Sequence, residues 1–411
     1  MNKDKFIKDC ENELRERFEE LDEVSFYNQK KILRAFQNNN VELRHFYGST
    51  GYGNSDVGRD TLNKVFAEIF GCESAVVSPL ITCGTHALYL ALSAVLRPGN
   101  KILSITGSPY DTLIDAINGN ENGDIGSLKD FNISFSQIEL TSDGHIDIEK
   151  MNKLIGESMP NMIYIQRSRG YSLRDALSVN EIKIAIDNVR KLNKDCYIFV
   201  DNCYCEFVEK TEPSAIGADL VAGSLCKNPG GGLASTGGYV AGTKRAINLV
   251  ERRLTAPSIG IEVGSYEPGY RLFYQGLFVS PDVVKNIIKG NYLVGKVMEK
   301  LGYTVFPNSN KKSYDIVKSI IFNTEDELIK FVQIIQKCSP VDSNAVPMPW
   351  NMPGYEDKVI MAAGTFVQGA SIELSCDSPI RAPYIAYFQG GLTYDHLKIV
   401  AEELLDVYAK N

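Results

Sequence analysis

Apolar positions recur in two different registers along this chain. Over residues 3–38 they fall at helical spacing among charged residues (Phe6, Ile7, Cys10, Leu14, Phe18, Leu21, then Ile32, Leu33, Phe36), and Asn38-Asn39-Asn40 closes the run. This predicts a helical N-terminal arm that packs on its own domain or on a partner subunit. From residue 61 onward, short continuous apolar runs alternate with amphipathic stretches. Strands are expected at 75–80, 101–106, 132–140, 162–166, 196–202, 220–224 and 238–242, and helices at 61–70, 87–96, 147–155 and 179–192. Such alternation over some two hundred residues predicts an α/β class with a largely parallel sheet covered on both faces and ligands gathered at the C-terminal rim of its strands. A long amphipathic helix at 281–301 then leads into a smaller domain with a strand at 316–323, a helix at 325–337, a β-rich stretch at 361–377 and a last helix at 394–410. The expected organisation is an arm (1–45), a large domain (46–280), and a linking helix with a small α+β domain (281–411). Two stretches read as irregular: the glycine- and charge-rich excursion at 118–131, and residues 347–355 with three prolines and Trp350.

Several chemistry-bearing residues fall on the expected rim. Residues 223–232 read Gly-Ser-Leu-Cys-Lys-Asn-Pro-Gly-Gly-Gly, so Lys227 sits where the backbone can turn sharply and its amine can be approached closely. Upstream, the strand expected at 196–202 delivers Asp201 at its C-terminal end. A buried lysine and a buried aspartate on neighbouring strands suit a pyridoxal phosphate (PLP) site, the lysine forming the Schiff base and the aspartate keeping the pyridine nitrogen protonated. The plain alternatives are a solvated loop lysine and an aspartate capping a turn. The turn at Gly84 and Thr85, from strand into helix, offers free backbone N–H groups for a phosphate. Tyr110 follows another strand, where it could stack on a planar cofactor, and Arg167 and Arg169 follow a third, where guanidinium groups could hold anions. The loop 45–60 carries Tyr47, Tyr52 and Arg59 among glycines, a composition that suits a ligand-facing segment.

Composition narrows the remaining classes. The 411 residues carry a net charge of -8, with 44% hydrophobic and 23% charged residues, so there is no electrostatic footprint for nucleic acid or for an anionic membrane. No signal-peptide core and no membrane-length apolar run occurs, which predicts a cytoplasmic protein. Nine scattered cysteines in mostly apolar contexts suggest reduced thiols. The cysteines and four histidines lack paired metal-ligand spacing, so no metal is expected.

The runs Thr50-Gly-Tyr-Gly through Gly58-Arg59-Asp60, Cys83-Gly-Thr-His-Ala-Leu, Gly107-Ser-Pro-Tyr-Asp-Thr-Leu, Ile165-Gln-Arg-Ser-Arg-Gly-Tyr, Val200-Asp-Asn-Cys-Tyr-Cys-Glu-Phe, Lys227-Asn-Pro-Gly-Gly-Gly, Ala363-Gly-Thr-Phe-Val-Gln-Gly and Pro379-Ile-Arg together resemble the bacterial aluminium-resistance or methionine gamma-lyase-like proteins. These are relatives of the cystathionine-metabolism branch of fold-type I PLP enzymes. The resemblance covers nearly everything after residue 40. It implies a PLP-dependent transferase-like fold, with Lys227 as the aldimine lysine and Asp201 as partner of the pyridine nitrogen. It further implies Gly84, Thr85 and Ser224 at the phosphate, Tyr110 stacked on the ring, Tyr52 reaching the phosphate of a neighbouring subunit in a homodimer or homotetramer, and Arg381 on the carboxylate of an amino acid substrate. Cys226 stands where the wider branch favours serine or threonine, and Arg59 is displaced from that branch's phosphate motif. The implied reaction is carbon–sulfur lysis of a sulfur-containing amino acid, of the methionine gamma-lyase or cystathionine beta-lyase kind, through aldimine formation and α-proton abstraction. An aminotransferase, or a PLP-fold binding or regulatory protein without turnover, are the alternatives.

Overall fold

The computed structural model describes residues 2–119, 126–352 and 357–409. The centre of the excursion expected at 118–131, the end of the loop expected at 347–355 and Lys410 lie outside these residues. The N-terminal arm is two helices, α1 (Lys3–Glu13) and α2 (Arg15–Asn38), broken at Leu14. Then follow α3 (Val57–Phe70), β1 (Ser74–Ser78), α4 (Gly84–Val95), β2 (Lys101–Ser104), α5 (Asp111–Asn118), β3 (Ser134–Gln137), α6 (Ile148–Ser158), β4 (Met162–Gln166), α7 (Val179–Leu192), β5 (Tyr197–Asp201), β6 (Leu220–Ser224), β7 (Gly238–Gly242) and α8 (Lys244–Leu254). These seven strands form one sheet in the order β1-β7-β6-β5-β4-β2-β3. Only β7 runs against the others, pairing antiparallel with both β6 and β1.

The side-chain period of a strand explains how both faces are covered. Ile163 and Ile165 of β4, Ile198 and Val200 of β5 and Val221 of β6 pack with α3, α6 and α7, whereas Met162, Tyr164, Phe199, Leu220 and Ala222 pack with α4 and α8. α3 begins four residues earlier than the apolar spacing indicates, because the Asp56 carboxylate accepts from the Arg59 N–H and caps the helix.

The long helix α9 (Arg271–Lys300) starts ten residues before the expected point, and Pro281 lies inside it. The proline lacks the N–H that would bond back, and the neighbouring Ser280 hydroxyl bridges to the carbonyls of Gly276 (2.7 Å) and Pro229 (2.9 Å). Beyond it lie β8 (Thr304–Phe306), β9 (Val317–Phe322), α10 (Glu325–Lys337), β10 (Val359–Ala362), β11 (Ser375–Pro379), β12 (Tyr384–Gln389) and α11 (Tyr394–Tyr408). The five strands form a second, antiparallel sheet in the order β10-β11-β12-β9-β8. Its core takes Leu293, Val294 and Val297 from α9, and Ile7 and Cys10 from α1. Leu21, Ile32 and Ala35 of α2 join the core of the first sheet, so the arm packs on its own chain across both cores.

A buried ion pair ties the second sheet to the rim of the first. Arg169, just past β4, donates to Asp315, just before β9, through Nε (3.1 Å) and Nη2 (2.9 Å), and its Nη1 reaches the Phe306 carbonyl. Both side chains are fully buried. Removing one member strands a buried charge at a cost of roughly 3–5 kcal/mol, whereas replacing both by apolar groups is close to neutral. Asp315→Ala is therefore expected to lower the thermal unfolding midpoint sharply, and Arg169→Met/Asp315→Leu to recover most of the loss. Scanning calorimetry of the two variants checks this.

Candidate active site

The register of the parallel strands gathers the site. Asp201, the last residue of β5, lies level with Gln166 of β4 and Ala222 of β6. Ser224 ends β6, and three residues later Lys227 enters a tight turn over Asn228–Gly230. The turn is held from below, where the Asn228 amide donates to the Glu206 carbonyl at 2.9 Å. It is also held from α9, since a Cβ at Gly276 would lie 2.1 Å from the Gly230 carbonyl and one at Gly231 would lie 2.4 Å from the Gly276 carbonyl. The glycine run after Lys227 thus serves close backbone packing as well as the sharp turn. Lys227 Nζ lies over the Tyr204 ring, 3.9 Å from its centroid.

Opposite the lysine is the start of α4. The Cys83 sulfur accepts from the His86 N–H, and helix geometry leaves the N–H groups of Gly84 and Thr85 without intrahelical partners at the positive end of the helix dipole. A Cβ on Gly84 would sit 3.6 Å from Ser224 Cβ and 3.8 Å from Lys227 Nζ, which shows how closely the helix start approaches the lysine. Together they enclose a cavity of about 210 Å³, lined by Gly84, Thr85, Tyr110, Gln166, Asp201 and Lys227 among others. A second cavity of about 300 Å³ lies on the side of the antiparallel sheet and shares Tyr110 and Tyr204 with the first.

Electrostatics distinguish the acids around the lysine. Asp201 is buried, accepting from the Cys203 N–H (3.1 Å) and more distantly from the Tyr164 hydroxyl (3.4 Å). Burial pushes its carboxyl above the ordinary range, while the Lys227 charge pulls the other way. Burial likewise works against the Lys227 ammonium, but the acidic groups facing it, Cys203, Tyr204, Asp201 and Glu206, outweigh that and hold it above the usual lysine value. Glu206, behind β6, accepts from the Tyr239 hydroxyl at 2.8 Å, and burial pushes it up to about 8. Asp377 of β11 faces the second cavity, and burial pushes it up to about 6 against the opposing Tyr171 hydrogen bond.

The residues expected at the site divide into two groups. Lys227, Asp201, Gly84, Thr85, Tyr110 and Ser224 converge. Arg381 does not: it sits in the β11–β12 turn with its side chain 56% exposed, and its guanidinium pairs with Asp357 at 3.0 Å. Among the described residues, no arginine lines either cavity. Tyr52 is 75% exposed on a loop whose backbone carbonyl accepts from the Gly264 N–H, and it lines neither cavity of its own chain. Arg167 and Arg169 are not anion holders, because burial has already paired them. Arg167 is bonded to Glu209 (2.6 Å), Asn202 and the Leu177 carbonyl, and Arg169 to Asp315. Arg59 is spent on Asp60 and the Gly53 carbonyl, so it braces the loop rather than facing a ligand. Tyr204, Gln166 and Asp377 line the cavities, and Tyr171 donates to Asp377, without any of them having been given a role from sequence. Tyr204, Gln166 and Tyr171 lie in runs that carry the family resemblance, but no local feature marked a role for them.

A family model described as methionine gamma-lyase matches residues 3–409. The chain belongs to the methionine gamma-lyase family. It is 48% identical over 381 residues to protein YnbB of Bacillus subtilis (strain 168), covering 92% of this chain and 90% of that protein. A crystal structure of a carbon-sulfur lyase involved in aluminum resistance from Clostridium novyi NT is 47% identical, with a TM-score of 0.94 over 98% of this chain and 95% of that one. The pyridoxal-5'-phosphate dependent protein YhfS of Escherichia coli, at 13% identity, has a TM-score of 0.61 over 95% of this chain and 97% of its own, a likeness of fold. The fold of this family member is that of fold-type I PLP enzymes.

The raised Glu206 carboxyl has a measurable consequence. The folded state holds its proton up to about pH 8, whereas an unfolded glutamate releases it near the ordinary value of 4.5, so stability falls as pH rises through that window. Glu206→Gln is expected to flatten the decline of the unfolding midpoint over that range. A pH series of melts on both proteins measures it.

Proposed function

We propose that this protein is a PLP-dependent carbon–sulfur lyase acting on a sulfur-containing amino acid. The observation that carries the reading is the meeting of Lys227 and Asp201 in one cavity opposite the bare start of α4. The donor set fits the cofactor. Backbone N–H groups of Gly84 and Thr85 with Ser224 suit a phosphate, Asp201 suits a protonated pyridine nitrogen, Tyr110 suits the ring face, and Lys227 suits covalent attachment. When bound, the cofactor supplies an electron-withdrawing ring that spreads the negative charge left at the substrate's α-carbon.

The chain's own residues then have distinct tasks. With the cofactor bound, Lys227 Nζ would take the α-proton of the substrate, acting as a general base held within reach by its turn. Asp201 would hold a proton on the ring nitrogen, and Tyr110 and Tyr204, which line the cavity beside Lys227, would shield the reacting atoms from water. With a thiol as leaving group at the β or γ carbon, and water hydrolysing the imino acid that remains, the products are that thiol, a keto acid and ammonia. The nine free cysteines fit a reducing compartment such as the cytoplasm, and no helix among the described residues is long and apolar enough to cross a membrane.

The purified protein is expected to carry PLP on Lys227 and to release thiol, keto acid and ammonia from at least one of cystathionine, methionine, homocysteine or cysteine. Borohydride reduction followed by peptide mapping locates the attachment. Keto acid formed only with an added amino acceptor, and no thiol, would instead indicate an aminotransferase.

Tyr52 bears on assembly. Exposed on its own chain, it is available to complete the phosphate site of a second copy, which makes the active unit a homodimer or a dimer of dimers. Hybrids of Lys227→Ala subunits with Tyr52→Phe subunits are expected to regain activity that neither parent has. Hybrids as inactive as the parents would mean that each site is built within one chain.

A further inference from the structure

The second cavity has an asymmetry of charge. Its walls are largely apolar, with Met352, Met361, Ala363, Ala370 and Cys376, and among the described lining residues Asp377 is the one that carries a charge. The Asp377 carboxylate accepts from the Gln389 amide at 3.2 Å and from the Tyr171 hydroxyl, both neutral donors, and no described salt bridge involves it. A buried carboxylate that no cation contacts directly, with Lys227 acting on it only through space, is costly, and a ligand that brings a cation to it relieves that cost. The substrate's own α-amino group is engaged at the Lys227 end, so the cation has to come from the far end of the side chain.

We propose that Asp377 makes this cavity select sulfur amino acids whose leaving thiol carries a positive charge near its end, such as an aminoalkyl thiol, over neutral alkyl thioethers of the same shape. This rests on the carbon–sulfur lyase reading for the reaction, but the charge selection is a property of binding and can be read separately. Asp377 has the role of a specificity residue.

The test uses the PLP-loaded protein and an isosteric pair, S-(2-aminoethyl)-L-cysteine and S-propyl-L-cysteine, which differ only in an ammonium against a methyl group. Dissociation constants come from calorimetry, and thiol release is followed in the same samples. At about pH 8 the aminoethyl compound is expected to bind tighter by about tenfold or more, the scale of a hydrogen bond to a charged group. Asp377→Asn, with its PLP content verified, is expected to abolish the preference.

A second measurement needs no variant. Cys376, Tyr204, Tyr387 and Lys227, which face Asp377, are all raised above their ordinary values and keep their protons through this range, and Tyr171 donates to it. Asp377, raised to about 6, is the group among these that changes charge, so the wild-type preference is expected to fade as the pH is lowered through that value. Equal affinities for the two compounds at about pH 8, or a preference that Asp377→Asn or acid leaves intact, would overturn the proposal. Preference without thiol from either compound would leave the charge selection standing and remove the lyase reading. Thiol from both compounds bound equally would do the reverse.

Discussion

The buried pair between Arg169 and Asp315 is the constraint on which the site's second half depends. The two residues lie on different sheets, and their two-point contact fixes the antiparallel sheet against the C-terminal rim of the parallel one. The consequence appears two residues along, where the Tyr171 ring meets that of Tyr387 at a tilt, with centroids 4.9 Å apart, and its hydroxyl donates to Asp377. A buried ion pair contributes little net stability over an apolar substitute, but it tolerates only one geometry. That property suits a junction whose task is to hold a second cavity against a first.

A different kind of contact positions Lys227. The turn that carries it has no long side chains to pack. Its backbone instead lies directly on α9, carbonyl to Cα, at Gly230, Gly231 and Gly276. α9 can make this contact because it begins well before Pro281, with Ser280 supplying hydrogen bonds to both the helix and the turn. The lysine amine therefore stands on rigid structure, as its proposed double role of covalent anchor and proton carrier requires.

Three carboxyls surround this lysine in three environments. Asp201 sits closest to the strand end with N–H and hydroxyl donors, Glu206 lies behind β6 against Tyr239, and Asp377 approaches from the other sheet. Burial raises all three, and their separate surroundings suit the different roles proposed for Asp201 at the cofactor and Asp377 at the substrate side chain, with Glu206 as a structural acid. The opposite outcome befalls the arginines near the rim, which are consumed by internal partners.

Sequence alone determined the seven strands of the largely parallel sheet, though not α5 or α8, and the convergence of Lys227, Asp201, Gly84 and Tyr110 on its rim. Side-chain period, glycine turns and strand ends are local properties, and in a parallel sheet every strand end falls on one rim. Only the tertiary structure decided where the charges went. Arg167, Arg169, Arg59 and Arg381 read as free cations in sequence, yet each found a carboxylate or carbonyl as partner, as near as the next residue for Arg59 and 146 residues away for Arg169. Asp377 was invisible as a site residue for the same reason in reverse: nothing local marks a strand aspartate as facing a cavity until another sheet closes over it. Periodicity is written in neighbouring residues, whereas the partner of a buried charge is settled by which distant segments the core brings together.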